Sequence, residues 1–241
     1  INKLIIFKVK FMRVADYVAK YLKSLGVNEV FMLTGYGAMY LNDAIKLSGI
    51  KYYATRNEAT APIMAESYAR IKKKIGVVCV TAGPGSTNAI PGLAEAYVDS
   101  APIIILSGQV DYKHTTYSTK SRRIRTFGTA EINIVPIVES ITKYAQIITN
   151  PKDARYILEK AIYLATSKRP GPVWIDIPLD VQKSEIDPNK LKSFKIKKQK
   201  KNSLKSNNNI NKIIKLIEKS SRPLIVVGNG IRQSNMEISL K

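Results

Sequence analysis

The sequence predicts an α/β protein, a doubly wound parallel sheet followed by the start of a second α/β domain. Three observations carry this expectation. From Met12 onward, segments of helical and strand-like pattern alternate, the order expected when crossover helices join parallel strands. Strand candidates such as "IGVVCV" and "PIIILSG" are continuously apolar, as they must be when helices cover both faces of a sheet. Glycine-containing turns follow several of them, and an open α/β sheet binds ligands where such loops gather.

The elements follow in order. "RVADYVAKYLKSLG" places Val14, Tyr17, Val18, Tyr21 and Leu22 near helical spacing, with Gly26 positioned to end the helix. "EVFMLTG" reads as a buried strand running into a turn, "AMYLNDAIKLSG" as a second helix and "KYYAT" as a second strand. "EATAPIMAESYARIKKK" is a third helix with a small-residue face, followed by the strand "IGVVCVTA", a Gly/Pro turn, the helix "NAIPGLAEAYVDS" and the strand "PIIILSG". Residues 111 to 130 are polar and basic and read as a surface excursion. Order returns with "INIVPIVESITKYAQIIT", the helix "PKDARYILEKAIYLATS" and the strand "GPVWIDIP", whose ends Pro170, Gly171, Pro172 and Pro178 mark.

Four segments are expected. Residues 1–11 read as an extraneous or unprocessed leader with Met12 as the native start, and 12–182 as the first domain. Residues 183–208 read as a Lys-rich linker and 209–241 as the truncated start of a second domain, in which "NNINKIIKLIEKSSRPLIVVGNG" is a helix, a strand and a Gly turn.

Composition narrows the function classes. The net charge of +21 raises nucleic acid or a membrane surface as partners, but its distribution argues otherwise. Residues 183 to 205 hold nine lysines against Glu185 and Asp187, the composition of a solvated linker with few apolar anchors. A nucleic-acid role would need an aromatic platform there, and Phe194 is the one candidate. No run approaches the roughly 20 apolar residues of a membrane span, so no membrane partner is expected. The single cysteine, Cys79, sits inside "IGVVCV" as a small buried hydrophobe, which suits a reducing, cytoplasmic compartment. His114 is the one histidine and lies in the polar excursion, so neither a nucleophilic triad nor a metal site is expected.

Four loops are candidates for a site: "TGYGAM" at 34–39, "TRNEAT" at 55–60, "TAGPGSTN" at 81–88 and "SGQV" at 107–110. Glycine in three of them lets backbone approach a ligand closely, and the fourth carries Glu58. "TAGPGSTN" precedes a helix whose N-terminus could accept an anion, yet it has no Walker lysine and no G-x-G-x-x-G. A tight Gly-Pro-Gly turn capped by Ser86, Thr87 or Asn88 explains it equally well. Glu58 has a plain alternative too, a carboxylate in the first turn of a helix facing water.

Taken together, "VFMLTGYGAMYLNDA", "RNEATAPIMAESYAR", "GVVCVTAGPGSTNAIPGLAEAYVDSAPIIILSGQV", "INIVPIVESITKYA" and "RPGPVWIDIPLDVQ" resemble, in this order, the N-terminal pyrimidine-binding domain of thiamine-diphosphate enzymes of the acetolactate synthase type. The resemblance covers about residues 12–182, and "SRPLIVVGNGIR" is similar to the opening of that family's central domain. It implies that Glu58 is the catalytic glutamate that contacts a ring nitrogen of the cofactor's aminopyrimidine and helps the thiazolium carbon lose its proton. A dry cleft formed by the apolar strand and small-residue helix is expected around it. Gly35, Tyr36 and Gly37 match the loop near the cofactor or across a dimer interface, and Pro84, Gly85 and Asn88 match the turn by the pyrimidine. The implied reaction is decarboxylation or carboligation of a 2-keto acid such as pyruvate, as in branched-chain amino acid biosynthesis. Mg²⁺ enters through a Gly-Asp-Gly…Asn motif of a further domain, which is absent from this sequence. FAD is an additional candidate cofactor, and a homodimer or homotetramer is the implied assembly.

The chain departs from the family where members commonly read His-Glu-Gln, here Asn57-Glu58-Ala59, and Phe-Gln-Glu, here Thr129-Ala130-Glu131. These departures support a competing reading, a non-catalytic dimerising or regulatory module derived from the same family.

Overall fold

The computed structural model describes residues 11–119, 121, 123–196 and 203–239. The chain divides between Phe194 and Lys195 into two compact units. The leader expected over residues 1–11 lies outside the described residues except for Phe11.

The first unit opens with β1 (Met12–Arg13) and α1 (Val14–Ser24), a helix that buries seven side chains along one stripe, including Tyr17 and Leu22. It ends at Leu25 and Gly26, whose φ of 83° is open to glycine. β2 (Glu29–Met32), α2 (Met39–Ser48), β3 (Lys51–Ala54), α3 (Thr60–Lys72) and β4 (Gly76–Val80) follow. Next come α4 (Pro84–Asn88), α5 (Ile90–Val98), β5 (Ile103–Gln109), α6 (Thr116–Thr119), α7 (Ile134–Val138) and β6 (Tyr144–Ile147). α8 (Ala154–Thr166), β7 (Val173–Pro178), α9 (Leu179–Lys183) and β8 (Glu185–Ile186) complete the unit.

Six strands form one parallel sheet in the order β3-β2-β4-β5-β7-β6. Alternation along each strand divides the core between its two faces. Val77, Cys79, Ile104, Leu106, Val173 and Ile175 pack with α1, α2 and α8. Val78, Val80, Ile103, Ile105 and Trp174 face Ala61, Ala65, Leu93 and Ile134 from α3, α5 and α7. The small face of α3 lets that helix lie close to β4: a Cβ on Gly76 would stand 2.3 Å from the Ala65 carbonyl oxygen. Burial pushes the Cys79 thiol up to about 12, which makes it inert as a nucleophile.

The strand order places a reversal between β2 and β4: the chain runs outward from β2 to β3, then returns to the other side of β2. That is the topological switch point of a doubly wound sheet, and the crevice outside its carboxyl edge is where such folds bind ligands.

Three expectations are corrected. The first unit continues past residue 182 into the segment read as linker. β8 pairs antiparallel with β1, matching Met12 with Ile186, Leu191 is buried, and Phe194 packs its ring against Tyr156 and Tyr163. Scattered apolar residues among lysines suffice to anchor it, because lysine stems and heads also lie on the surface, as Lys192 does over Tyr156. In the second unit α10 (Ser203–Lys219) and α11 (Gly230–Gln233) form, but the strand expected over "RPLIVVG" does not. Leu224, Ile225, Val226 and Val227 are exposed, and among the described residues of the second unit no strand is available to pair their backbone groups. Finally, "SGQV" is not an open loop: β5 runs through Gln109, and Ser107 and Gln109 are buried.

Candidate functional site

The site is built from the three loops that leave β2, β3 and β4. The loop after β2 turns through Gly35–Ala38 and lies directly on the loop after β4. The Gly37 N–H donates to Thr81 Oγ1 at 3.0 Å. A Cβ on Gly35 would fall 2.5 Å from the Thr81 side chain, and one on Gly37 2.8 Å from the Ala82 side chain, so both positions exclude a side chain. Gln182 fixes the turn from below, donating to the carbonyl oxygens of Gly37 at 2.6 Å and Ile177 at 2.7 Å. Tyr36 takes no part in these contacts and is 71% exposed.

The loop after β4 turns sharply at Gly83, whose φ of 59° and ψ of −124° suit glycine, and α4 starts at Pro84. None of Ser86, Thr87 and Asn88 caps this helix. Ser86 and Thr87 instead donate their hydroxyls to the carbonyl oxygens of Thr81 and Pro84. Asn88 reaches to the third loop.

That third loop carries Glu58. Glu58 stands immediately before the N-cap Ala59 of α3, two residues ahead of the first helical residue. Asn57 Oδ1 accepts from the Ala59 N–H at 2.8 Å, an Asx turn that shapes the bend. Asn88 Nδ2 donates to Glu58 Oε2 at 2.7 Å and lies 3.3 Å from Asn57 Oδ1. A Cβ on Gly85 would stand 3.1 Å from Glu58 Oε1. Among the described residues no donor reaches Oε1. One carboxylate oxygen is therefore fixed, and the other is open beside a residue with no side chain.

Glu58, Gly85 and Asn88 are thus brought together, with Pro84 starting the helix that holds two of them. Gly35 and Gly37 buttress the same turn. The expected dry cleft is not seen in this chain: β3 is one of the sheet's two edge strands, with Lys51, Tyr52 and Ala54 exposed, and Glu58 is half-buried. An edge strand has a neighbour on one side only, so its loop keeps a solvent-facing flank.

Sequence reading missed a buried polar cluster on β5 and β7. Ser107 and Asp176 stand opposite each other in the β5–β7 register, and Ser107 Oγ donates to Asp176 Oδ1 at 2.5 Å. Trp174 Nε1 donates to Ser107 Oγ at 2.7 Å, and Gln109 Nε2 donates to Asp176 Oδ2 at 3.2 Å. Burial, opposed by the bonds from Ser107 and Gln109, pushes the Asp176 carboxyl up to about 7. A polar residue within a continuously apolar strand was the available signal.

Sequence comparison relates this chain to known enzymes. Residues 12–127 match the family described as thiamine pyrophosphate enzyme, N-terminal TPP binding domain, and that stretch of the chain is such a domain. Over a wider span the chain is a homologue of acetolactate synthases. It is 34% identical to the acetolactate synthase large subunit of Buchnera aphidicola subsp. Schizaphis graminum over 94% of its own length and 39% of the relative's. It is 35% identical to the large subunit of Lactococcus lactis subsp. lactis over 91% and 37%. With the chloroplastic acetolactate synthase of Arabidopsis thaliana the figures are 34% identity, 93% and 32%. The chain therefore spans 32% to 39% of the length of these relatives. No helix among the described residues is long and apolar enough to cross a membrane, and no group of His, Cys, Asp and Glu among them could hold a metal ion.

Proposed function

We propose that this chain supplies the pyrimidine half of a thiamine-diphosphate site in an acetolactate-synthase-like enzyme, with Glu58 as the catalytic residue. The observation that carries the reading is the Glu58 carboxylate: Oε2 is held by Asn88 while Oε1 is open beside Gly85. The residues present fit the cofactor's aminopyrimidine in their chemistry. A carboxyl oxygen is available to a ring nitrogen, and Gly85 leaves room for a flat ring. When bound, thiamine diphosphate supplies the carbon nucleophile and electron sink that a 2-keto acid such as pyruvate needs for decarboxylation and carboligation.

The chain's own residues then do three things. Asn88 and the Asn57 turn hold Glu58 in one orientation. Glu58 Oε1 holds and passes the proton at the ring nitrogen, acting as a general acid–base at that atom. Gly35 and Gly37, packed on Thr81 and Ala82, keep the turn from shifting. In this reading Mg²⁺, the diphosphate contacts and any FAD site come from further domains, as the family resemblance implies, and a homodimer or homotetramer would bring them to Glu58. A cytoplasmic location belongs to the same proposal and rests on the reduced, buried Cys79.

The test is deuterium exchange at the cofactor's thiazolium carbon in a protein that joins this chain to the remaining domains of an acetolactate synthase large subunit. Glu58→Gln is expected to slow exchange at least ~100-fold, within the ~10²–10⁴-fold span of general acid–base groups. Unchanged exchange would remove Glu58 from the role and favour the non-catalytic module.

A further inference from the structure

The excursion from Asp111 to Ile132 is tied to the rest of the unit at its two ends and cross-linked within itself by Glu131. At its start the Tyr112 N–H donates to Asp180 Oδ1 at 2.9 Å. In its middle the buried Glu131 accepts from the Thr116 N–H at 3.0 Å, the Thr116 hydroxyl at 2.8 Å and the Phe127 N–H at 3.3 Å. At its end Gln109 Nε2 donates to the Ile132 carbonyl at 2.9 Å while also donating to Asp176. The same excursion meets the candidate site: a Cβ on Gly83 would lie 1.7 Å from the Ala130 carbonyl oxygen, and Gly83 begins the turn that carries Gly85 and Asn88.

A buried polar group is retained only when its partners are in place, because an unmade bond leaves it with its full desolvation penalty. Gln109 spends one amide group on two acceptors, one in the sheet and one in the excursion. Glu131 spends both oxygens on two separate stretches of the excursion. These side chains tie together stretches of the excursion that lie apart in sequence.

We propose that Gln109, Asp176 and Glu131 form a buried latch that holds the excursion against the Gly83 turn, and are thereby positioning residues for the Glu58–Gly85–Asn88 site. The positioning part rests on the cofactor reading above; the latch itself does not.

Amide hydrogen exchange on the full chain, with and without millimolar thiamine diphosphate, tests both parts. Without cofactor, Gln109→Met, which keeps a similar volume and removes the donors, is expected to speed exchange between Tyr112 and Glu131 at least tenfold and leave β4 unchanged. Glu131→Gln, which leaves the sheet untouched, is expected to act in the same direction and serves if Gln109→Met fails to fold. Ile105→Val, a buried control on the same strand, is expected to produce no such selective loosening. Uniform acceleration across the sheet, or none, overturns the latch.

With cofactor, protection of the amides of residues 83 to 88 is expected in the wild type and is expected to weaken in both latch variants. Loosening of the excursion with full protection retained overturns the positioning role. Protection absent from the wild type counts against the cofactor reading, and the latch is then decided by exchange alone.

Discussion

Replacing Asp176 by asparagine should remove a specific part of the pH dependence of folding. The carboxyl is fully buried in the fold and ionises near 7, against 3.8 in an unperturbed chain. Between those values the folded form keeps a proton that the unfolded form has lost, so stability falls as pH rises from about 4 to about 7 and is level above that. At ~1.4 kcal/mol per pH unit, the loss across the interval reaches ~4 kcal/mol. Asparagine has no such titration. Below about 7 its amide matches the protonated carboxyl, since its oxygen can accept from Gln109 while its N–H donates to the Ser107 hydroxyl oxygen, so the two proteins should be of similar stability at low pH. The assay is urea unfolding followed by the fluorescence of Trp174, the sole tryptophan, which donates to Ser107 in the same cluster. Unfolding free energies from pH 4.5 to 8.5 should fall more steeply in the wild type than in Asp176→Asn. Parallel curves would show that burial does not govern the ionisation of Asp176, and the reasoning would fail.

Other outcomes follow from the same geometry. Gly85→Ala adds a methyl 2.6 Å from Thr81 Cγ2 and 3.1 Å from Glu58 Oε1. Thiamine diphosphate affinity, read by calorimetry, should fall at least tenfold, equivalent to ~1.4 kcal/mol, while the far-ultraviolet circular dichroism is unchanged. Gly108→Ala forces a Cβ within 2.0 Å of the Gly37 carbonyl oxygen; backbone cannot yield as a flexible side chain can, so chemical unfolding should show a loss of about 1–3 kcal/mol or more. Leu93→Ala empties a fully buried position between α5 and the sheet and should lower the unfolding free energy by about 2–5 kcal/mol.

The sheet was legible because its strongest signals are local. β4 and β5 are uninterrupted apolar runs, and the helices beside them repeat at helical spacing. Glu58, Gly85 and Asn88 were gathered around one ring by the family resemblance alone; no local pattern states their meeting, which depends on β3 and β4 flanking β2. The Ser107–Asp176 pair was hidden for a related reason. Each residue looks like a minor polar interruption of its own strand, and register across 69 positions brings them together. The segment from Lys183 to Phe194 was misread because its charge hid three anchors, Ile186, Leu191 and Phe194. "PLIVV" failed in the opposite way. Its composition is that of a strand, but a strand forms only with a neighbour to bond.

The central claim is that Glu58, Gly85 and Asn88 receive the cofactor's aminopyrimidine. Titrating the isotope-labelled chain with thiamine diphosphate, and following its amide and Asn side-chain resonances, tests this most directly. Saturable shifts should appear at Glu58 and Gly85 and at the Asn88 side chain, should be small at the far edge strand β6, and should be lost in Glu58→Leu. Shifts of equal size throughout the chain, or an unaltered titration in Glu58→Leu, would contradict the account.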